Sequence, residues 1–124
     1  MSSNQIDILW LSDVEEHDYP AAESYLRLIY NETAVQPLVD ALRRAPVSRF
    51  KAKDVFRASA LSLLGVSNSH VAKDQRKIER GQAISPLLLV RDTANGKVVI
   101  ADGYHRMCAI YSFNEDALIH CKIV

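Results

Sequence analysis

Residues 97–113 read KVVIADGYHRMCAIYSF, and they decide the fold of the C-terminal half of the chain. The β-branched run at 98–100 favours a strand. The residues over 104–113 favour a helix, so the strand passes through Asp102 and Gly103 directly into a helix start. The free backbone N–H groups of a helix start attract phosphate and other anions. The segment therefore predicts an anion site at the beginning of this helix.

The side chains around this turn suit the same chemistry. Gly103 has no Cβ, so an oxyanion can approach its backbone closely. Arg106 can bind a phosphate through two parallel hydrogen bonds. His105 can donate a further hydrogen bond or move a proton, since its unperturbed pKa is about 6.5. Asp102 is predicted to cap the helix by accepting from its first amides. As a first-turn residue, Arg106 is expected to lie outside the core.

The same residues also have a purely structural interpretation. Asp102 would then be only a cap, Gly103 only a turn residue, and Arg106 would form a salt bridge with the acidic N-terminal segment. The strand before the turn and the helix after it are the surroundings that a phosphate site needs, and they favour the functional interpretation. His70 and Asp74 lie four residues apart on a predicted helix, a spacing more typical of a local pair than of a catalytic dyad.

Periodicity along the whole chain predicts an α+β protein, with one small mixed sheet and helices packed against it. Asn95-Gly96 is a strong hairpin signal. Residues 46–53 are interpreted as a basic connector. A helix that starts near Pro20 is expected to bury Tyr25, Leu26, Leu28 and Ile29. The other predicted elements are strands over 5–11, 84–91 and 117–124, and helices over 33–44, 55–64 and 69–80.

The composition is that of one ordinary globular domain of 124 residues. No apolar run approaches the roughly 18 residues that span a bilayer, and the N-terminus lacks the pattern of a secretory signal, so no membrane partner and a cytoplasmic location are expected. Cys108 and Cys121 have no metal-site spacing. His17 lies among carboxylates, but a solvated acidic loop is the better interpretation, so no metal site is predicted.

The charge is zero overall but unevenly distributed. Residues 1–42 carry eight acidic side chains against one basic side chain, a net charge of −7. Residues 43–80 carry ten basic side chains against three acidic ones, a net charge of +7. The basic middle could face a nucleotide or nucleic acid. It could equally pack beside the acidic segment, and this second interpretation is favoured.

Three features of the C-terminal half occur in a distinctive order: a helix ending in glycine over 69–81, an apolar strand after Pro86, and a strand leading into Gly103-Tyr104-His105-Arg106. In this order they resemble the ParB/sulfiredoxin-like superfamily, over roughly residues 69–112. The resemblance implies one domain of that fold over 1–124, with residues 1–65 a divergent N-terminal portion. It also implies that Gly103, Tyr104, His105 and Arg106 contact nucleotide phosphates.

The resemblance has limits that restrict the function. In sulfiredoxin the residue between the glycine and the histidine is the catalytic cysteine, whereas this chain has Tyr104, so sulfinic acid reduction is not expected. The helix-turn-helix region that follows this domain in ParB-type partition proteins is not expected here, although a nucleic-acid contact stays open.

Two functions remain from different classes. One is an enzyme of phosphoryl transfer or nucleotide hydrolysis, in which His105 stabilises developing charge and Asp102 holds magnesium with the nucleotide or acts as a base. The other is a non-catalytic module, in which a nucleotide or nucleic-acid contact controls association with a partner. The sequence leaves the identity of the phosphate ligand and the oligomeric state open.

Overall fold

The computed structural model describes residues 7–64 and 68–124. It contains an α+β fold with helices on both faces of a four-stranded mixed sheet. The helices are α1 (Asp18–Ile29), α2 (Glu32–Arg44), α3 (Ala52–Ser59), α4 (Ser69–Glu79) and α5 (Tyr104–Phe113). The strands are β1 (Val47–Lys51), β2 (Leu87–Asp92), β3 (Lys97–Asp102) and β4 (Leu118–Ile123), in the spatial order β1-β4-β2-β3. The predicted fold class is confirmed.

The central strand β2 organises the two faces of the sheet. Its first four residues, Leu87 to Val90, are all buried, as expected for a strand that is covered on both sides. Leu87 and Leu89 belong to a core cluster shared with α3, α4 and α5. Leu88 and Val90 belong to a second cluster shared with α1 and α2. The alternation of side chains along one strand therefore joins two helical layers.

Strand pairing joins distant parts of the chain. β2 pairs antiparallel with β3 through the predicted hairpin, and it pairs parallel with β4. β1 pairs antiparallel with β4, with Arg49 opposite His120. The N-terminal half, predicted to be a divergent portion, thus contributes an edge strand to the same sheet as the C-terminal half.

Three predictions about the N-terminal half are wrong. Residues 46–53 are not a connector, because they form β1 and the start of α3. The buried residues of α1 are Asp18, Tyr19, Ala22 and Leu26, whereas Leu28 is 85% exposed and Tyr25 and Ile29 are exposed too. In the described part of the predicted strand over 5–11, the only bridge joins Trp10 to Ile84. Residues 5 and 6 of this predicted strand lie outside the described residues, as do residues 65–67 after the helix predicted over 55–64.

The predicted elements around the C-terminal turn are confirmed. The helix over 104–113 has the bounds that its sequence predicted, and the final strand begins one residue later than predicted. The helix over 69–79 begins after Asn68, whose side chain accepts from the amides of His70 and Val71. None of the helices in residues 7–64 and 68–124 has the length and apolar character that crossing a membrane requires.

A buried lysine fastens the last strand to the N-terminal helices. Lys122 is 5% exposed, and its ammonium group donates to the Tyr19 hydroxyl at 3.1 Å and to the Arg43 carbonyl oxygen at 2.9 Å. The same group lies 3.0 Å from a carboxylate oxygen of Asp13. Burial alone would lower the pKa of Lys122, but the hydrogen bonds to Tyr19 and Asp13 outweigh it and raise the pKa. Lys122 is therefore a charged group with every donor partnered.

We expect Lys122→Met to lower the free energy of unfolding by about 2 kcal/mol, because it leaves buried acceptors without a donor. Lys97→Met is the matched control, since Lys97 is exposed on the β2–β3 hairpin, and it should change stability by less than about 0.5 kcal/mol. Urea denaturation of both variants gives the comparison. Equal stability of the two variants would show that the Lys122 contacts contribute nothing.

Candidate functional site

A polar cleft lies where the first turns of α4 and α5 meet. Its volume is about 160 Å³, and polar atoms make up most of its lining. α5 starts at the end of β3, while the first turn of α4 brings His70 against His105, with 4.9 Å between ring centroids. The lining residues are His70, Lys73, Asp74, Asp102, Gly103, Tyr104, His105 and Arg106. All the site residues predicted from the sequence therefore line one cleft.

Gly103 is required by both conformation and space. Its φ of +106° lies in a region that residues with a side chain rarely adopt. A Cβ at this position would lie 2.5 Å from Cγ of Leu87 and 3.0 Å from Nη2 of Arg106. The absent side chain thus lets β3 turn sharply into α5 against the central strand. A register irregularity between Leu88 and Leu89 marks the β2–β3 ladder just before this turn.

We expect Gly103→Ala to lower the free energy of unfolding by about 2 to 4 kcal/mol, since backbone strain and an overlap with Leu87 add together. Gly81→Ala separates the two causes, because Gly81 has a φ of +74° but no atom within 4 Å of an added Cβ. That control should lose only about 1 kcal/mol. Thermal or urea unfolding measures both variants. Similar losses would mean that the contact with Leu87 does not matter.

The first turn of α5 begins at a glycine. Gly103 is the N-cap residue, and within residues 7–64 and 68–124 no side chain accepts a hydrogen bond from the first amides. The prediction that Asp102 caps the helix is wrong, because its carboxylate contacts the guanidinium of Arg106 instead. The amides of Tyr104, His105 and Arg106 begin the helix without an intrahelical acceptor. They are the donors that a helix start offers to an anion.

Arg106 is held between two carboxylates. Its Nη2 lies 3.2 Å from Oδ2 of Asp102 and 3.4 Å from Oδ2 of Asp18 in α1, and 3.5 Å from the carbonyl oxygen of Pro86. Its side chain is 18% exposed, and Arg106 belongs to neither of the two core clusters, as expected for a residue outside the apolar core. The salt bridge to the acidic N-terminal segment, the structural alternative, is present. Arg106 also lines the cleft, so the same side chain both forms the salt bridge and belongs to the site.

Asp18 is fixed in place by its own contacts. It is 4% exposed, and its Oδ2 accepts from the Ser85 hydroxyl at 2.7 Å. The Ser85 oxygen in turn accepts from the amide of Glu15 at 3.0 Å. Oδ1 of Asp18 lies 3.3 Å from Nε2 of His17, an exposed imidazole. The acidic loop before α1 is thereby attached to the strand region behind the cleft.

The imidazole of His105 is a weak cation. Burial lowers the pKa of His105, the neighbouring His70 lowers it further, and Asp74 opposes this shift. His105 is therefore mostly neutral at pH 7, so it can donate one hydrogen bond and accept another. Lys73, one turn after His70, lines the same cleft and forms no ion pair within the described residues. In the described part of the chain, Lys73 is thus a cation of the cleft that no carboxylate holds.

Tyr104 contributes to the site through its backbone. Its hydroxyl donates to the carbonyl oxygen of Ser62, in the segment that follows α3. Burial and the nearby thiol of Cys108 raise the pKa of Tyr104. Burial likewise raises the pKa of Cys108, which is fully buried, so this thiol is protonated and closed to redox partners. The backbone amide of Tyr104 is therefore the group through which this residue can contact a ligand.

The sequence missed three residues of the site region, namely Lys73, Asp18 and Ser85. Lys73 could have been found, because it lies three residues after His70 on one helix and the spacing i, i+3 shares a face. Asp18 and Ser85 carried no such signal. Asp18 is one of eight acidic residues in its segment, and only the packing of α1 against the sheet brings it to Arg106.

The carboxylates of the cleft do not fit a resident magnesium ion. Asp102 is engaged by Arg106, whose positive charge opposes a second cation at the same carboxylate. Asp74 is then the one remaining carboxylate in the lining. Within the described ranges, no group of three or more His, Cys, Asp or Glu side chains is arranged to hold a metal. The magnesium role expected for Asp102 finds no support in this donor set.

Comparison of the chain with protein-family models, with curated proteins and with solved structures gives no match. The site is therefore interpreted from its own geometry.

Proposed function

We propose that the chain binds a phosphate-bearing ligand, a nucleotide or another small phosphorylated molecule, in the cleft between α4 and α5. The observation that carries the proposal is the uncapped first turn of α5, which opens onto a polar cleft beside the unpaired Lys73. Amides at a helix start and a nearby ammonium group are complementary to an oxyanion. A polar lining and a small volume suit a phosphate group better than an apolar ligand.

Each residue has a distinct part in this proposal. Gly103 lets the oxyanion approach the backbone, and the amides of Tyr104, His105 and Arg106 donate to it. Lys73 supplies the positive charge from the opposite helix. The neutral imidazole of His105 donates one further hydrogen bond. Arg106 lies at the edge of the cleft, but its carboxylate partners limit the charge that it offers.

A relationship to the ParB/sulfiredoxin-like superfamily belongs to the same proposal. It is supported by the order of elements around the turn, namely a helix, a strand hairpin and a second helix that starts with Gly-x-His-Arg. In that superfamily the corresponding turn contacts nucleotide phosphates. The chain is also proposed to work in the cytoplasm, which is consistent with two buried, unpaired cysteines.

We favour binding over catalysis, so the non-catalytic alternative is the leading form of this proposal. The guanidinium of Arg106 occupies the carboxylate of Asp102 and opposes the effect by which burial raises its pKa, so this carboxylate is poorly placed to hold a metal or to take a proton from a substrate. His105 lies in the cleft and, although burial lowers its pKa, its imidazole can still exchange a proton, so turnover is measured together with binding.

The test is a thermal-shift titration with inorganic phosphate and with nucleoside mono-, di- and triphosphates, each with and without magnesium. A ligand that raises the melting temperature is then titrated by calorimetry against Lys73→Gln. We expect this variant to bind about tenfold more weakly, because one charged hydrogen bond to the phosphate is lost. Release of phosphate is followed in the same samples to detect turnover.

Lys77→Gln is the matched control, since it removes the same charge from the same helix but from a residue that does not line the cleft. It should bind within about twofold of the unchanged protein. Equal weakening by both variants would show attraction to the basic helix in general and would count against the cleft. Absence of binding to every phosphate compound would reject the proposal.

A further inference from the structure

The guanidinium of Arg106 has a hydrogen-bond donor without a partner. All its contacts are made through Nη2, at 3.2 to 3.5 Å, which is longer than the 2.7–2.9 Å usual for charge-assisted hydrogen bonds. Its Nε is the one buried side-chain nitrogen or oxygen without a hydrogen-bond partner in the described part of the chain. Guanidinium has five donors, and a buried donor without a partner is costly. Arg106 thus retains donors for an additional anion.

The two carboxylates differ in how firmly they are held. Asp18 is buried and receives the Ser85 hydroxyl on the same oxygen that faces Arg106. Asp102 has a side chain that is 20% exposed, lines the cleft and contacts Arg106 four residues ahead of it. Asp18 is therefore a fixed anchor, and Asp102 is the carboxylate that an entering anion meets.

The charges around the cleft do not favour a highly charged ligand. Asp18 and Asp102 together outweigh Arg106 by one negative charge, and Asp74 balances Lys73. Burial raises the pKa of Asp102, and the charge of Asp18 adds to this, as expected for two carboxylates that share one cation. On the α4 and α5 side, His105 faces His70 with 4.9 Å between ring centroids, and burial lowers the pKa of His105, so its imidazole adds little charge above pH 7. A second negative charge on a phosphate meets net repulsion here.

We propose that Asp18 and Asp102 restrain Arg106 and thereby make the cleft selective for a singly charged phosphate, a phosphodiester, over phosphates with two or more charges. This inference rests on the proposed function, since it concerns the same cleft. A dianion would need the full charge of Arg106, which Asp102 already occupies. A phosphodiester does not need the full charge of Arg106, because Lys73 and the amides of α5 suffice for its one negative charge. Asp18 and Asp102 are thus specificity-determining residues that act through Arg106.

The test compares a cyclic mononucleotide, which has one charge, with the corresponding 5′-mononucleotide, which has two, at pH 8, where histidines are neutral. The unchanged protein should bind the cyclic form at least fivefold more tightly. Asp102→Asn keeps the shape of the side chain and should strengthen binding of the 5′-mononucleotide about tenfold, so that the preference disappears. Asp18→Asn should act in the same direction, and it provides the measurement if Asp102→Asn does not fold.

Two controls separate this effect from a general loss of negative charge. Asp74→Asn removes a carboxylate that lines the cleft without contacting Arg106, and it should strengthen binding of the 5′-mononucleotide less than threefold. In an Arg106→Gln background, Asp102→Asn should strengthen binding of the 5′-mononucleotide less than threefold, because only direct repulsion remains, and a double-mutant cycle measures the difference. Melting temperatures of all variants show that they are folded.

The outcomes distinguish this inference from the proposed function. Binding to the unchanged protein with no preference for the cyclic form, or a tenfold effect of Asp102→Asn that persists without Arg106, would overturn the restraint and leave the binding site intact. No binding of either nucleotide to any variant would overturn the selectivity, and the proposed function is overturned as well only if inorganic phosphate and the other phosphate compounds also fail to bind. A short single-stranded oligonucleotide tested alongside shows whether a phosphodiester in a nucleic-acid backbone binds as a cyclic nucleotide does.

Discussion

The burial of β2 on both faces is the constraint on which the rest of this structure depends. Four consecutive apolar residues, Leu87 to Val90, direct alternate side chains into two separate cores. Burying all four from water is worth several kcal/mol, and it requires a helical layer on each side. The N-terminal helices form one layer, and α3, α4 and α5 form the other. The turn at Gly103 is positioned because β3 pairs with this strand.

Ion pairs add to apolar packing in holding the N-terminal segment against the rest of the fold. The acidic N-terminal segment is not neutralised mainly by the basic middle, as the charge distribution suggested. Glu16 pairs with Arg43 of that middle, but Asp13 pairs with Lys122, and Asp18 pairs with Arg106. Two of these three partners come from the last 20 residues. The pairs fasten the first helix to the strand and helix that end the chain, and one of them lies beside the cleft.

The candidate site combines features of two kinds. Those within 102–106 are local, since a strand, a glycine and a helix start follow one another in sequence. Asp18, Lys73 and Ser85 reach the same place through packing alone. This is why the sequence identifies Arg106 as a site residue but does not say which carboxylates it pairs with. The sequence leaves open whether Arg106 is free at a helix start or paired with the acidic N-terminal segment, whereas the structure shows it shared by two carboxylates and without a partner at Nε.

By itself the sequence determined the elements whose signals are local: the helix over 104–113, the hairpin at Asn95-Gly96 and the buried character of the strand before it. These depend on propensity, turn chemistry and apolar pattern within a few residues. Only the tertiary structure decided that residues 47–51 form an edge strand, that Tyr25 and Leu28 face outward, and that Asp18 restrains Arg106. The physical reason is that strand pairing, choice of the buried helix face and ion-pair partners depend on contacts between residues far apart in the chain.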